Sequence, residues 1–324
     1  MPIRIDSDLP AYATLEQENI FVMTGERASA QDIRPLEIAI VNLMPTKEVT
    51  ETQLFRMLSN TPLQINISLV QIEGHVSKNT SNAHLSRFYI SSQDIFDKKF
   101  DGMIITGAPV EQLPFEQVDY WDELCRIMDY AHRNVFSTLY ICWGAMAGLY
   151  HQYGIPKHEV SRKFSGVYHS RLIVPTEPLL RGFDDFFPVP TSRYTKIDSQ
   201  DVLGDTRLSL LADSEITGMT LAKSRDNRSI FMTGHLEYDS DTLSKEYFRD
   251  VGKGLAPSLP EHYFTDNDPA KPVRSTWRST AHLFYSNWLN YYVYQMTPYR
   301  LGDIAGSEDW AGDQQTTCLH AKCQ

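Results

Sequence analysis

Cys142 is the residue in this sequence best placed to act as a nucleophile. It ends a short apolar run at residues 136–142 and is followed by Trp143-Gly144-Ala145 and a helical stretch at 144–153, so the pattern is strand, sharp turn, helix: a nucleophile elbow. A thiol at the start of a helix feels the positive end of the macrodipole, which favours the thiolate. The backbone N–H groups just after it lack intrahelical acceptors and are free to receive an oxyanion. Many free cysteines at strand ends merely pack in a core, so position alone leaves the two readings even. A second feature tips the balance: Gly234-His235-Leu236-Glu237-Tyr238. Read as an extended segment, residues two apart share a face, which sets the Glu237 carboxylate beside the His235 imidazole. A carboxylate there fixes the imidazole tautomer and stabilises the imidazolium that forms when it takes a proton. An isolated His-x-Glu is more often a surface histidine beside an unrelated glutamate; together with Cys142 it fits the pattern of nucleophile, base and orienter.

The elements around these residues read as one layered fold. Residues 37–43 form a nearly continuous aliphatic run, the pattern of a strand buried on both faces. The chain turns at 44–47 and continues as a helix at 49–58, a strand at 65–72, and a strand at 102–106 that stops at Gly107-Ala108-Pro109. A helical period follows at 119–134, ahead of the strand that carries Cys142. Short apolar strands alternating with amphipathic helices predict an α/β fold with a mostly parallel sheet flanked by helices. Further on, 209–212, 219–222 and 229–233 predict short strands, a hairpin extension of the same sheet closing at Gly234, and helices are predicted at 240–253 and 280–295. We expect a single domain over 37–301, preceded by an extension at 1–36 packed on the core. Residues 302–324 hold too little apolar content to offset the entropy of ordering them, so a disordered tail is predicted there.

Composition bounds the function. The chain has 324 residues, 42% of them hydrophobic and 22% charged, as expected of a folded globular protein. A formal net charge of −11 disfavours nucleic acid, whose binding rests on Lys and Arg neutralising phosphates. No run approaches the ~18 uninterrupted apolar residues of a membrane span and the N-terminus has no signal-like apolar region, so a cytoplasmic protein is expected. The four cysteines, Cys125, Cys142, Cys318 and Cys323, are not spaced as a zinc ribbon or a disulfide framework, and Cys318 and Cys323 with a lone His320 make an incomplete metal site. No metal site is expected.

Chain order separates the candidate folds. An α/β-hydrolase presents nucleophile, acid, then histidine, whereas here the acid follows the histidine. Cysteine followed by His-x-Glu after a sheet extension resembles the class I glutamine amidotransferases, with Tyr140 and Leu236 where those enzymes usually have Gly and Pro. Longer strings carry a closer resemblance: Glu-Asn-Ile-Phe-Val-Met-Thr (18–24), Asn-Leu-Met-Pro-Thr-Lys (42–47), Ile-Thr-Gly-Ala-Pro-Val-Glu (105–111), Ile-Cys-Trp-Gly-Ala (141–145), Gly-His-Leu-Glu-Tyr (234–238) and Trp-Leu-Asn-Tyr-Tyr-Val-Tyr-Gln (288–295). Together they resemble the homoserine O-succinyltransferase/O-acetyltransferase family of methionine biosynthesis, from the N-terminus to about Leu301.

That resemblance implies an acyl-thioester on Cys142, His235 as general base and Glu237 as its orienter. It also implies substrate contacts at Lys163, Ser192 and Arg249, the last suited to a bidentate grip on an α-carboxylate. By residue type alone, Lys163 and Arg249 would read as ordinary solvated charges. The N–H groups at Trp143 and at Gly107 or Ala108 are candidate oxyanion donors, and Lys47 a candidate for the acyl carbonyl or the phosphates of CoA. Glu111 stands where the family resembles a donor switch, Gly in succinyl-specific members and Glu in acetyl-specific ones. The implied reaction moves acetyl from acetyl-CoA, a co-substrate, to L-homoserine, with no bound cofactor and with a homodimer as the assembly. Succinyl transfer is the nearest alternative; a glutaminase, or a non-enzymatic binding module of the same fold, is more distant.

Overall fold

The computed structural model describes residues 3–18, 34–73 and 79–304. The elements in chain order begin with β1 (Ile3–Arg4), α1 (Pro10–Gln17), β2 (Leu36–Val41), α2 (Lys47–Leu58) and β3 (Ile65–Gln71). Then come α3 (Asn82–Phe88), β4 (Tyr89–Ser91), β5 (Phe100–Ile105), α4 (Trp121–Asn134), β6 (Val135–Ile141) and α5 (Trp143–Tyr153). The second half holds β7 (His158–Leu172), β8 (Phe186–Lys196), α6 (Ser199–Leu203), β9 (Leu208–Ser214), β10 (Gly218–Ser224) and β11 (Ser229–Met232). Helices α7 (Thr242–Gly252) and α8 (Arg278–Asn287) and a π-helix (Trp288–Tyr294) complete it.

Among the described residues the strands form one sheet in the order β1-β3-β2-β5-β6-β11-β10-β9-β7-β8, with β4 beside β3. Pairing is parallel from β1 through β11 and antiparallel from β11 through β8. The α/β architecture with a mostly parallel, helix-flanked core is therefore as the sequence predicted. Its cause is visible in the alternation of side chains. Ile38, Ile40, Leu139, Ile141, Ile230 and Met232 face one apolar layer, built with Leu54 and Leu58 of α2 and Phe284 and Tyr285 of α8. Ala39, Val41, Tyr140 and Phe231 face the other, built with Leu124, Ile127 and Met128 of α4 and Met146 and Leu149 of α5. Helix α4 also carries Asp122 and Glu123 in its first turn and His132 and Arg133 in its last, signs that complement the helix macrodipole.

Three features depart from expectation. The 15-residue β7 and the 11-residue β8 form a long antiparallel hairpin that the sequence reading did not predict. One face of β7 is solvated and its register shifts between Glu159 and Phe164, so no clean apolar alternation announces it. The helix predicted over 280–295 changes at Asn287 from α to π winding, where the Trp288 indole donates to Ser137 Oγ at 3.0 Å. Past Leu301, Lys99 Nζ donates to the carbonyls of Gly302 and Ile304 at 3.0 and 2.8 Å, and Ile304 is buried. The rest of the predicted tail, with Cys318, His320 and Cys323, lies outside the described residues, as do residues 19–33 of the predicted N-terminal extension. No helix among the described residues is long and apolar enough to cross a membrane.

Candidate active site

Strands β6 and β11 run parallel with Ile141 opposite Met232, so the residues that follow them emerge side by side at one edge of the sheet. Cys142 N–H donates to the Met232 carbonyl at 2.7 Å, and the Cys142 carbonyl accepts from Met146 N–H at 3.2 Å. Between these two bonds Cys142 is held at φ 51°, ψ −116°. A non-glycine residue in that region costs of order 1–3 kcal/mol and persists only where its surroundings over-determine it. This is the predicted elbow, with the strand ending at Ile141 and α5 beginning at Trp143.

Two glycines make room for the elbow. A Cβ on Gly144 would stand 2.6 Å from the Thr106 carbonyl oxygen, so the first turn of α5 abuts the end of β5. A Cβ on Gly107 would lie 3.1 Å from Cys142 Cβ and 3.5 Å from His235 Cε1. The Gly107-Ala108 backbone therefore borders the thiol and the imidazole directly.

His235 is buried, its N–H donating to the Pro190 carbonyl at 2.9 Å, its Nδ1 donating to Glu237 Oε1 at 2.6 Å and its ring stacked on Tyr238 at 4.1 Å. The pairing of His235 with Glu237 matches the sequence reading, but the geometry behind it differs. Residues 235–238 form a turn, closed by Tyr238 N–H on the His235 carbonyl at 3.3 Å, rather than an extended segment. Burial pulls the imidazole pKa down, but the charges of Cys142 and Glu237, with hydrogen bonds to both, raise it well above the ordinary histidine value. The charged form of the imidazole is thereby favoured beyond that of a free histidine. The second oxygen of the buried Glu237, Oε2, has no hydrogen-bond partner among the described residues.

Ser192 Oγ donates to Glu246 Oε2, and Lys163 Nζ lies 3.7 Å from the same oxygen. Tyr238 O–H donates to Glu246 Oε1 at 3.4 Å, which ties this group to the ring stacked on His235. Lys163 and Glu246 border a cleft of about 320 Å³ with Ser165, Tyr194 and Asp250. Glu246 was missed by sequence reasoning, for a charged residue on an amphipathic helix reads as solvated surface. Arg249 lies one turn further along α7, half-exposed, with Nε donating to Asp250 Oδ1 at 2.8 Å; that bond holds its guanidinium above the usual arginine range. Its fork does not touch Ser192 or Lys163 here.

The remaining candidates divide. Glu111 is half-buried, and its charge is felt by both Arg193 and Lys157. Trp143 contributes its backbone N–H at the start of α5, whereas its indole is buried beside Phe115 and Tyr120, at 6.0 and 6.1 Å, on the far side of the sheet. Lys47 is turned inward rather than toward Cys142: its ammonium donates to the Asn42 carbonyl, and burial brings its pKa down to about 8 against the opposing pull of Glu51. Among the described residues no three His, Cys, Asp or Glu side chains gather as metal ligands would.

The family model described as homoserine O-succinyltransferase matches residues 2–299. A protein of Desulfovibrio desulfuricans named homoserine O-acetyltransferase is 58% identical over 309 residues, 95% of this chain and 98% of its own. One of Methanomethylophilus alvi with the same name is 54% identical over 304 residues, 94% of this chain and 98% of its own. Among solved structures, a glutamine amidotransferase of Thermotoga maritima aligns with TM-score 0.49 at 13% identity, over 79% of this chain and 98% of that one.

Proposed function

The chain belongs to the homoserine O-succinyltransferase family, and we propose that it transfers acetyl from acetyl-CoA to the hydroxyl of L-homoserine through a Cys142 thioester. The observation that carries the mechanism is the buried contact of imidazole, carboxylate and thiol at a positive-φ elbow. The Cys142 thiolate attacks the thioester carbonyl, a new C–S bond forms, and CoA leaves with the proton of the His235 imidazolium. Neutral His235 then takes the proton of the homoserine hydroxyl as its oxygen attacks the acyl-enzyme. The C–S bond breaks, giving O-acetyl-L-homoserine and restoring thiolate beside imidazolium, with Glu237 fixing the imidazole throughout.

The N–H groups of Trp143, next in sequence to Cys142, and of Gly107 or Ala108, on the backbone that borders it, are assigned to the oxyanion in both half-reactions. Lys163 and Ser192, gathered by Glu246, are assigned to the amino acid, with Arg249 turning from Asp250 to its carboxylate. Lys47 is kept as a donor-side cation only if its side chain swings outward from Asn42. Acetyl-CoA is a co-substrate and no bound cofactor enters the scheme. We place the enzyme in the cytosol as a homodimer, acting in methionine biosynthesis.

Steady-state kinetics with L-homoserine and either acetyl-CoA or succinyl-CoA test the reading, with the intact mass of enzyme treated with donor alone. Parallel double-reciprocal lines and one acetyl adduct on Cys142 are expected. Intersecting lines with no adduct would remove the covalent route, and glutamine hydrolysis without acyl transfer would establish the amidotransferase alternative.

A further inference from the structure

Arg193 of β8 is among the most deeply buried side chains of the protein, 1% exposed, and carries a full charge. No carboxylate lies within ion-pair distance of it among the described residues. Its guanidinium donates instead to backbone and hydroxyl: Nη1 to the Thr195 carbonyl, Nη2 to the Thr217 carbonyl at 3.1 Å and to Thr233 Oγ1 at 3.3 Å. Its Nε has no partner, and its plane lies over the Phe164 ring at 5.5 Å. Burying a cation without a counter-ion is strongly disfavoured unless a nearby anion or a set of dipoles compensates. The carbonyls supply part of that compensation, so the anion has to be sought in the surroundings.

Those surroundings are the catalytic centre. Thr233 precedes the Gly234-His235 turn by one residue, and the same turn is held on one side by Pro190 of β8 and on the other by the bond from Cys142 N–H to Met232. Thr195 Oγ1, two residues along β8, donates to Met146 Sδ at 3.2 Å, in the first turn of the helix that Cys142 opens. Strand β8 ends the sheet in pairing order, yet through these contacts it folds back over the ends of β6 and β11.

We propose that Arg193 is the fixed counter-cation of the Cys142 thiolate and the brace of the turn that presents His235. Burial draws its guanidinium down to about 10, and of the charges that push it back up that of Cys142 is the largest, followed by Tyr168 and Glu111. His235 and Tyr238 also face the thiol electrostatically, from the turn after β11. The two cations differ in kind. His235 gives up and regains its proton in each half-reaction, whereas the charge of Arg193 is constant. A constant positive field makes Cys142 a better leaving group when the acyl-enzyme collapses toward product, the step a mobile proton alone does not secure. Arg193 is thus a positioning residue that acts through Cys142 and His235.

The inference rests on Cys142 being the nucleophile, so its test needs neither acyl-CoA nor homoserine. Alkylation of Cys142 by anionic iodoacetate and by neutral iodoacetamide, read by peptide mass in the full-length protein, reports the local field through the ratio of the two rates. Removing one close positive charge should lower that ratio by about tenfold in Arg193→Met. Arg193→Gln, which keeps an N–H donor for Thr233, should do the same and serves if the methionine variant does not fold. Arg193→Lys, with the charge kept and the fork lost, should hold the ratio near that of the unmodified protein while kcat falls. An unchanged ratio in a folded neutral variant overturns the counter-cation role, and an equal drop in Arg193→Lys shows displacement of the thiol rather than loss of field. Failure of acyl transfer in the unmodified protein would leave this measurement intact and would count against the proposed reaction instead.

Discussion

Among the described residues the protein contains two buried histidine–glutamate pairs, and one of them stands beside Cys142, the proposed nucleophile. His235 meets Glu237 at 2.6 Å; His84 of α3 meets Glu51 of α2 at 3.0 and 3.1 Å, and all four residues are buried. In the second pair both carboxylate oxygens have hydrogen-bond partners. Glu51 accepts from His84 and from the Tyr89 hydroxyl at 2.6 Å, Tyr89 in turn accepts from Asn42 Nδ2 at 2.9 Å, and His84 Nδ1 lies 3.7 Å from Glu48. In the first pair, among the described residues, Glu237 Oε2 has no hydrogen-bond partner, and the imidazole faces the Cys142 thiol. A saturated buried network specifies packing, while an open one leaves bonding capacity for a substrate to complete. The His–Glu contact is common to both, so what sets the first pair apart is the positive-φ cysteine beside it.

The largest effect that would break this comparison is at the nucleophile. Cys142→Ala should lower kcat by about four orders of magnitude or more, with thermal unfolding little changed, because alanine fits the same elbow. Steady-state rates beside a melting curve check both halves. Next come His235→Ala and Glu237→Ala, whose losses in kcat should be unequal and, in the double variant, far from additive, as for groups acting as a unit. A change in KM alone would remove them from the chemistry. The saturated pair should respond in the opposite sense: Glu51→Gln should cost about 1–3 kcal/mol of stability through the unsatisfied partners it leaves, with kcat within about threefold of the unmodified protein. If Glu51→Gln instead lowered kcat at unchanged stability, the distinction between the two pairs would be lost. Smaller again, Arg249→Ala should raise KM for homoserine by about tenfold to a hundredfold while leaving KM for the donor nearly unchanged, since only the acceptor carries an α-carboxylate. Equal effects on both substrates would make Arg249 a structural partner of Asp250.

The same contrast explains what was readable in the sequence. Strands β2, β5 and β6 were legible because burial on both faces writes a continuous apolar run, and the elbow was legible because a strand, a cysteine and a helix follow one another without a gap. The adjacency of His235 and Glu237 was foreseen for a reason that does not hold, a shared face of an extended segment where the chain in fact turns. Strands β7 and β8 were not found, and with them went Arg193, whose burial is set by a hairpin folding back from the far edge of the sheet. Charged residues by type point to solvent. Glu246 and Arg193 depart from that rule through contacts with segments distant in the chain, whereas Lys47 is buried with its ammonium on the Asn42 carbonyl five residues back.

The last prediction concerns donor choice and tests whether the site is tuned by its rim. Lys157 Nζ donates to the carbonyls of Glu111 and Leu113 while sitting 4.5 Å over the Phe115 ring, so the loop that carries Glu111 is held in place. The Glu111 side chain is carried on that held loop, and its charge is felt by Arg193 and Lys157. A succinyl donor would bring its distal carboxylate toward that charge in a partly desolvated space and would compete with the side chain for volume, whereas an acetyl group meets neither obstacle. Glu111→Gly removes both, so the kcat/KM ratio of acetyl-CoA to succinyl-CoA should fall by about tenfold to a hundredfold. Glu111→Gln, which keeps the volume and discards the charge, should give an intermediate ratio if repulsion and crowding both act. A glutamine variant indistinguishable from the unmodified protein would assign the preference to volume alone. Faster turnover of succinyl-CoA by the unmodified protein would overturn the donor assignment while leaving homoserine acyl transfer in place.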